Sequence, residues 1–130
     1  MLQIVDRDLM IHEVPLEKIC ISEGSIKIVI DDITEKRKNI IFKPYQAVKI
    51  TTFDCADLSF VDSCPDMYAS GTYKRYLLEE TESSWIRILK ESLADTDDDF
   101  LSKSRHFILH LGDNLVEIVA WNVNISGEII

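Results

Sequence analysis

The stretch Ser25-Ile26-Lys27-Ile28-Val29-Ile30 sets the period of the amino-terminal half. Ile26, Ile28 and Ile30 fall two residues apart, so in an extended chain they stand on one face of a sheet. Downstream, Glu35-Lys36-Arg37-Lys38-Asn39 reads as a polar turn. Residues 39–52 are rich in Ile, Val, Thr, Phe and Tyr and read as a second strand, bent near Pro44 because proline cannot donate to a central ladder. Residues 9–14, 18–21 and 58–61 are shorter strand candidates, and Asp62-Ser63-Cys64-Pro65-Asp66 is a loop by its turn chemistry.

The period changes once. Trp85, Leu89 and Leu93 lie four apart, with Ile86 and Ile88 beside them, and this stripe predicts a helix of about three turns over residues 84–94. Ser83 or Ser84 supplies the cap, and Glu79, Glu80 and Glu82 stand at the positive end of the dipole. Asp95-Thr96-Asp97-Asp98-Asp99 ends the helix, being poor in helix formers and at the wrong end of the dipole. Strands return over residues 105–111 and 115–123, where Gly112-Asp113-Asn114 marks a hairpin. The second of these alternates imperfectly, which suits a strand buried on both faces. No repeat or linker interrupts the chain. The expectation is one domain, residues 1–130, of the α+β class: a mainly antiparallel curved sheet or sandwich with one helix packed on it.

Composition agrees with a single core. The 130 residues are 46% hydrophobic and 28% charged, with four Gly and three Pro, which excludes a disordered or collagen-like chain. Fourteen basic residues against 23 acidic give a net charge of −9, the wrong sign for a phosphate-binding surface, so nucleic acid is not an expected partner. No apolar run approaches the ~20 residues of a membrane span. No basic segment followed by an apolar one opens the chain, so the expected location is the cytoplasm, where the Asn124-Ile125-Ser126 sequon has no consequence. Cys20, Cys55 and Cys64 are odd in number, irregularly spaced and free of any CxxC, so they read as small core or boundary residues rather than a disulfide framework or a zinc site.

The candidate chemistry is sparse. His106 and His110 have the spacing of a helical zinc pair, but their segment reads as a strand. There, four steps of ~3.3 Å would hold them roughly 13 Å apart, too far to share one ion. They are expected on the surface or against a partner, and His12 has no cluster around it. The run from Asp95 opens like a calcium loop, yet Phe100 and His106 fall where that loop needs Gly and Glu. GxSxG, GxxxxGK[ST], GxGxxG and HExxH do not occur. No metal, cofactor or catalytic residue is expected. A cleft enclosing two convergent carboxylates or a His–carboxylate pair would be the mark of an enzyme. What stands out is acidity: residues 66–130 carry 6 basic and 12 acidic residues, and residues 79–99 alone carry two and eight. A field of that sign draws basic partners and raises their association rate.

From Gly71-Thr72-Tyr73-Lys74-Arg75 through Ser83-Ser84-Trp85-Ile86, then His106-Phe107, Asp113 and Glu117-Ile118-Val119-Ala120, the chain resembles a group of small bacterial proteins. The group includes immunity proteins of polymorphic and contact-dependent toxin systems. The resemblance spans residues 71–121 and implies a rigid scaffold on which Trp85 and Ile86 anchor the helix and Asp113 shapes the hairpin. Arg75 would pair with Glu79, Glu82 or Glu117, or meet a partner. It implies a protein that binds and neutralises a cognate, basic toxin domain. A nuclease toxin would present a phosphate site for carboxylates to fill. The expected docking residues are Asp95, Asp97, Asp98 and Asp99, with Glu82 and the aromatic anchor Tyr73. The alternatives are a general interaction module or accessory subunit and, behind them, a small-ligand binder or hydrolase.

Overall fold

Strand β4, Ser25–Asp31, buries Ile26, Ile28 and Ile30 completely, as the alternation predicts. In this computed structural model, which describes residues 1–13, 15, 17–57, 74–93 and 99–127, β4 lies between β3 (Lys18–Ser22) and β5 (Arg37–Phe42). β11 (Val123–Gly127) joins the far side of β5 to complete a four-stranded antiparallel sheet ordered β11-β5-β4-β3. Gly24 turns the β3–β4 hairpin at φ +70°, a conformation costly for a residue with a Cβ. The polar turn falls at Asp32 rather than at 35–39. The Asp32 carboxylate accepts from the Thr34 amide, the Thr34 hydroxyl and the Lys36 amide at 2.8, 2.6 and 3.0 Å, which releases Arg37 to begin β5.

The second sheet has five strands ordered β1-β8-β9-β10-β6: β1 (Leu2–Ile4), β8 (Leu78–Glu80), β9 (Arg105–Leu111), β10 (Asn114–Ala120) and β6 (Tyr45–Thr52). A two-stranded ribbon pairs β2 (Met10–Ile11) with β7 (Arg75–Tyr76). The two larger sheets form a sandwich. Ile26, Ile28, Ile30, Ile40 and Phe42 of one meet Phe107, Leu109, Leu111, Val116, Ile118 and Ala120 of the other. Phe42 and Phe107 touch across the interface, ring centroids 5.2 Å apart and tilted by 55°.

Two single strands of the sequence reading are each two strands in different sheets. Residues 39–52 divide at Lys43-Pro44, where the chain leaves β5 in the four-stranded sheet and enters β6 in the five-stranded one. Residues 115–123 divide at Trp121-Asn122, between β10 and β11, in the reverse direction. The two crossings lie together: Lys43 N–H donates to Asn122 C=O at 3.1 Å, and Trp121 N–H donates to Pro44 C=O at 3.0 Å. Each crossing thus satisfies backbone groups that neither ladder could.

Helix α1 runs Ser84–Glu91 and ends at Ser92, about a turn short of the expected 84–94. Ser83, not Ser84, is its cap, accepting from the Ile86 amide at 3.1 Å. No residue of α1 is fully buried. Trp85 and Ile86 are half-buried and Ile88 is 57% exposed, so the helix lies on the sheet's outer surface instead of closing a core. A one-turn helix, α2, spans Asp99–Ser102; residues 95–98 of the acidic segment lie outside the described residues. Residues 58–61, the loop 62–66 and Cys64 lie outside the described residues.

Candidate functional site

β9 alternates strictly, and the alternation gives the five-stranded sheet two unlike faces. Phe107, Leu109 and Leu111 point into the sandwich, whereas His106, Ile108 and His110 point out. β10 does the same, with Leu115 and Glu117 on the outer face and Lys49 of β6 directly opposite Glu117. Ile108 and Leu115 join Leu2, Tyr76 and Leu78 in a small second cluster there. The two histidines are buried, at 6% and 4% exposure, and this corrects the expectation of surface residues. Cover comes from remote parts of the chain: Trp85 of α1 meets His106 edge-on at 5.2 Å. Phe53, in the 3-10 turn Phe53–Cys55 after β6, stacks flat on His110 at 4.0 Å.

A polar chain runs from the helix cap to the sheet. Ser83 Oγ lies 2.8 Å from His106 Nδ1, His106 Nε2 lies 3.0 Å from Glu117 Oε1, and Lys49 Nζ lies 3.3 Å from Glu117 Oε2. Lys49 also stands 4.6 Å above the Trp85 ring. Burial pushes the Glu117 carboxyl up, but the His106 hydrogen bond and the Lys49 charge outweigh it and hold the group below its ordinary value. Glu117 is therefore a carboxylate at neutral pH and accepts the proton of Nε2. In the neutral imidazole Nδ1 is then the acceptor, and the Ser83 hydroxyl donates to it while taking the Ile86 amide on a lone pair. His110 behaves differently. Burial, with the Arg75 charge adding to it against a hydrogen bond to the Gly112 backbone, pulls it down to about 4 and keeps it neutral.

Beside this chain opens a pocket of about 470 Å³ on the outer face. Asp57, Glu80, Glu82 and Glu117 line it against Lys49 and His106. Glu80 accepts from the Met1 amino group at 2.5 Å and the Glu82 amide at 3.1 Å. Burial raises this carboxyl, and these bonds overcome that and hold it low. Across the first turn of α1 lies a second cleft of about 370 Å³, of mixed charge, to which Glu79 and Glu80 contribute as well as three basic residues. Ser83 opens into it with Arg87, Lys90 and Arg105, and Arg105 is clamped by Glu79 through bonds of 3.1 and 2.6 Å.

Of the expected docking residues, Glu82 is at the acidic pocket, with a side chain 86% exposed. Asp99 begins α2. Tyr73, Asp95, Asp97 and Asp98 lie outside the described residues. Glu79 takes Arg105 as its partner, while Arg75 donates to the Glu13 carbonyl at 2.6 Å. Ser83, Lys49, Asp57, Glu80, His106 and Glu117 were not singled out as a site. Glu117 carried the one available signal, a carboxylate within an otherwise apolar strand.

No family model and no curated protein matches this chain. Among solved structures, the chain is similar to an uncharacterized protein from Neisseria gonorrhoeae at 14% identity, with 97% of each chain covered and a TM-score of 0.49. No helix among the described residues is long and apolar enough to cross a membrane.

Proposed function

We propose that this chain is an immunity protein, which binds a cognate toxin domain and neutralises it by occupying its basic site. The observation that carries this reading is the acidic pocket, in which Asp57, Glu80, Glu82 and Glu117 converge on an open face of the sheet. Two of the carboxylates are held ionised by neighbours fixed in the fold, so the field toward a partner is set before contact. Asp57 and Glu82 are exposed at the rim, where charge steers encounter. The resemblance over residues 71–121 supplies the toxin as the class of partner, and the protein acts in the cytoplasm, where such a toxin would act. Asp95, Asp97, Asp98, Asp99 and Tyr73 stay in this reading as docking residues on the strength of their charge and aromatic character in the sequence.

The test is neutralisation. The protein encoded beside this one in the native host is expected to arrest growth when expressed alone and to be silenced by co-expression of this chain. The Asp57→Lys, Glu82→Lys variant should protect at least about tenfold less well, on the scale of lost charge pairs at an interface. Full protection by that variant would remove the pocket from the docking surface. A neighbour that is harmless alone would contradict the reading.

A further inference from the structure

The Ser83–His106–Glu117 chain has the connectivity of an activated nucleophile: a hydroxyl on an imidazole, and the imidazole's other nitrogen on a carboxylate. Both contacts, at 2.8 and 3.0 Å, are within proton-transfer reach. Lys49 fixes the far oxygen of Glu117, and Trp85 packs edge-on against the imidazole, so the base is held in one orientation. The hydroxyl end opens into the cleft lined by Glu79, Glu80, Arg87, Lys90 and Arg105, while His106 and Glu117 line the acidic pocket on the other side. Docking at the acidic pocket would meet His106 and Glu117 but leaves the Ser83 hydroxyl unused, because Ser83 lines the other cleft.

We infer that Ser83 is a nucleophile toward small acyl esters carrying a negative charge, an activity separate from partner binding. Ser83 Oγ forms a bond to the acyl carbon while its proton passes to His106 Nδ1. Glu117, accepting from Nε2, stabilises the resulting imidazolium. Ile86 N–H already reaches Oγ at 3.1 Å, so the oxyanion of the tetrahedral intermediate forms beside the first-turn amides of α1, at the positive end of its dipole. The bond to the leaving alcohol then breaks and the alcohol departs with the proton from Nδ1. Water repeats the sequence on the acyl-serine, giving its proton to His106, releasing the acid and restoring the Ser83 hydroxyl. Arg105 is occupied by Glu79 and Glu80 by the Met1 amino group, so Arg87 and Lys90 supply the charge that selects an anionic substrate.

The experiment treats the full chain with a fluorophosphonate probe and locates the adduct by peptide mass spectrometry. The expected result is an adduct on Ser83, absent in Ser83→Ala. Its rate should fall on the order of 100-fold in Glu117→Gln, which keeps the shape but loses the charge that orients the base. Ser84, exposed next door, is the internal control. No adduct on Ser83 while a reference serine hydrolase in the same tube reacts would overturn the inference. So would equal labelling of Ser83 and Ser84, or an unchanged rate in a Glu117→Gln protein that circular dichroism shows to be folded. For substrate class, 4-nitrophenyl hemisuccinate should be cleaved faster than 4-nitrophenyl acetate, and the reverse order would overturn the assignment to anionic esters.

Discussion

The two faces of the five-stranded sheet are built from the same strands by different means. On the inner face, Phe107, Leu109, Leu111, Val116 and Ile118 are sealed by another apolar layer, and stability there comes from removing hydrocarbon from water. On the outer face, His106 and His110 are almost as deeply buried, yet each is held by specific partners: Ser83, Glu117 and Trp85 for one, Phe53 and the Gly112 backbone for the other. Both ring nitrogens of His106 are hydrogen-bonded, and His110 is seated by its stacking on Phe53 and its Gly112 bond, so this face is fixed by geometry rather than by area. It is also the face on which the acidic pocket opens. The contrast puts hydrocarbon burial on one side of the sheet and, under the function we propose, recognition on the other.

The largest effect expected from breaking this contrast lies on the inner face. Phe107→Ala should cost about 3–5 kcal/mol, the range for truncating a fully buried aromatic side chain. Urea denaturation would measure it, and a loss below about 1 kcal/mol would mean that the sandwich does not depend on this contact. The outer face should instead reveal itself by pH. The His110 imidazole titrates near 6.5 when unfolded and at about 4 when folded, so between those values the unfolded chain binds more protons. Stability should therefore fall as pH drops through this window, by about 2–3 kcal/mol in all. His110→Gln should flatten that part of the curve. Glu80 and Glu117, held below their ordinary values, contribute stability above the usual carboxylate range and lose it as pH falls through their lowered values. That steeper acid limb should survive in His110→Gln, and a variant that flattened both limbs would show the two groups to be one coupled unit.

The sandwich core was readable because its strands repeat a period long enough to register, as Ile26, Ile28 and Ile30 do in β4. Helix α1 was readable from its stripe, though its end was not, since Leu93 belongs to the stripe but stands beyond Ser92 and 42% exposed. Strands β1, β7 and β8 hold two or three residues each and carry no period at all. The crossings at Pro44 and Trp121-Asn122 were hidden because the same extended, apolar pattern continues through a change of sheet. The site was the least legible part. Ser83, Lys49, His106 and Glu117 come from four segments, and only the register of β9 with β10 and β6 brings three of them together. Burial of His106 and His110 depends on Trp85 and Phe53, which no local pattern places above them.

The central claim is that the outer face recognises a basic partner through its acidic pocket. Its most direct test is capture from a lysate of the native host at low and at moderate salt, using the wild-type chain and the Asp57→Lys, Glu82→Lys variant side by side. The account predicts one basic protein that the wild type retains at moderate salt and the variant loses. Retention of the same proteins by both chains, or partners that all elute at moderate salt, would contradict it.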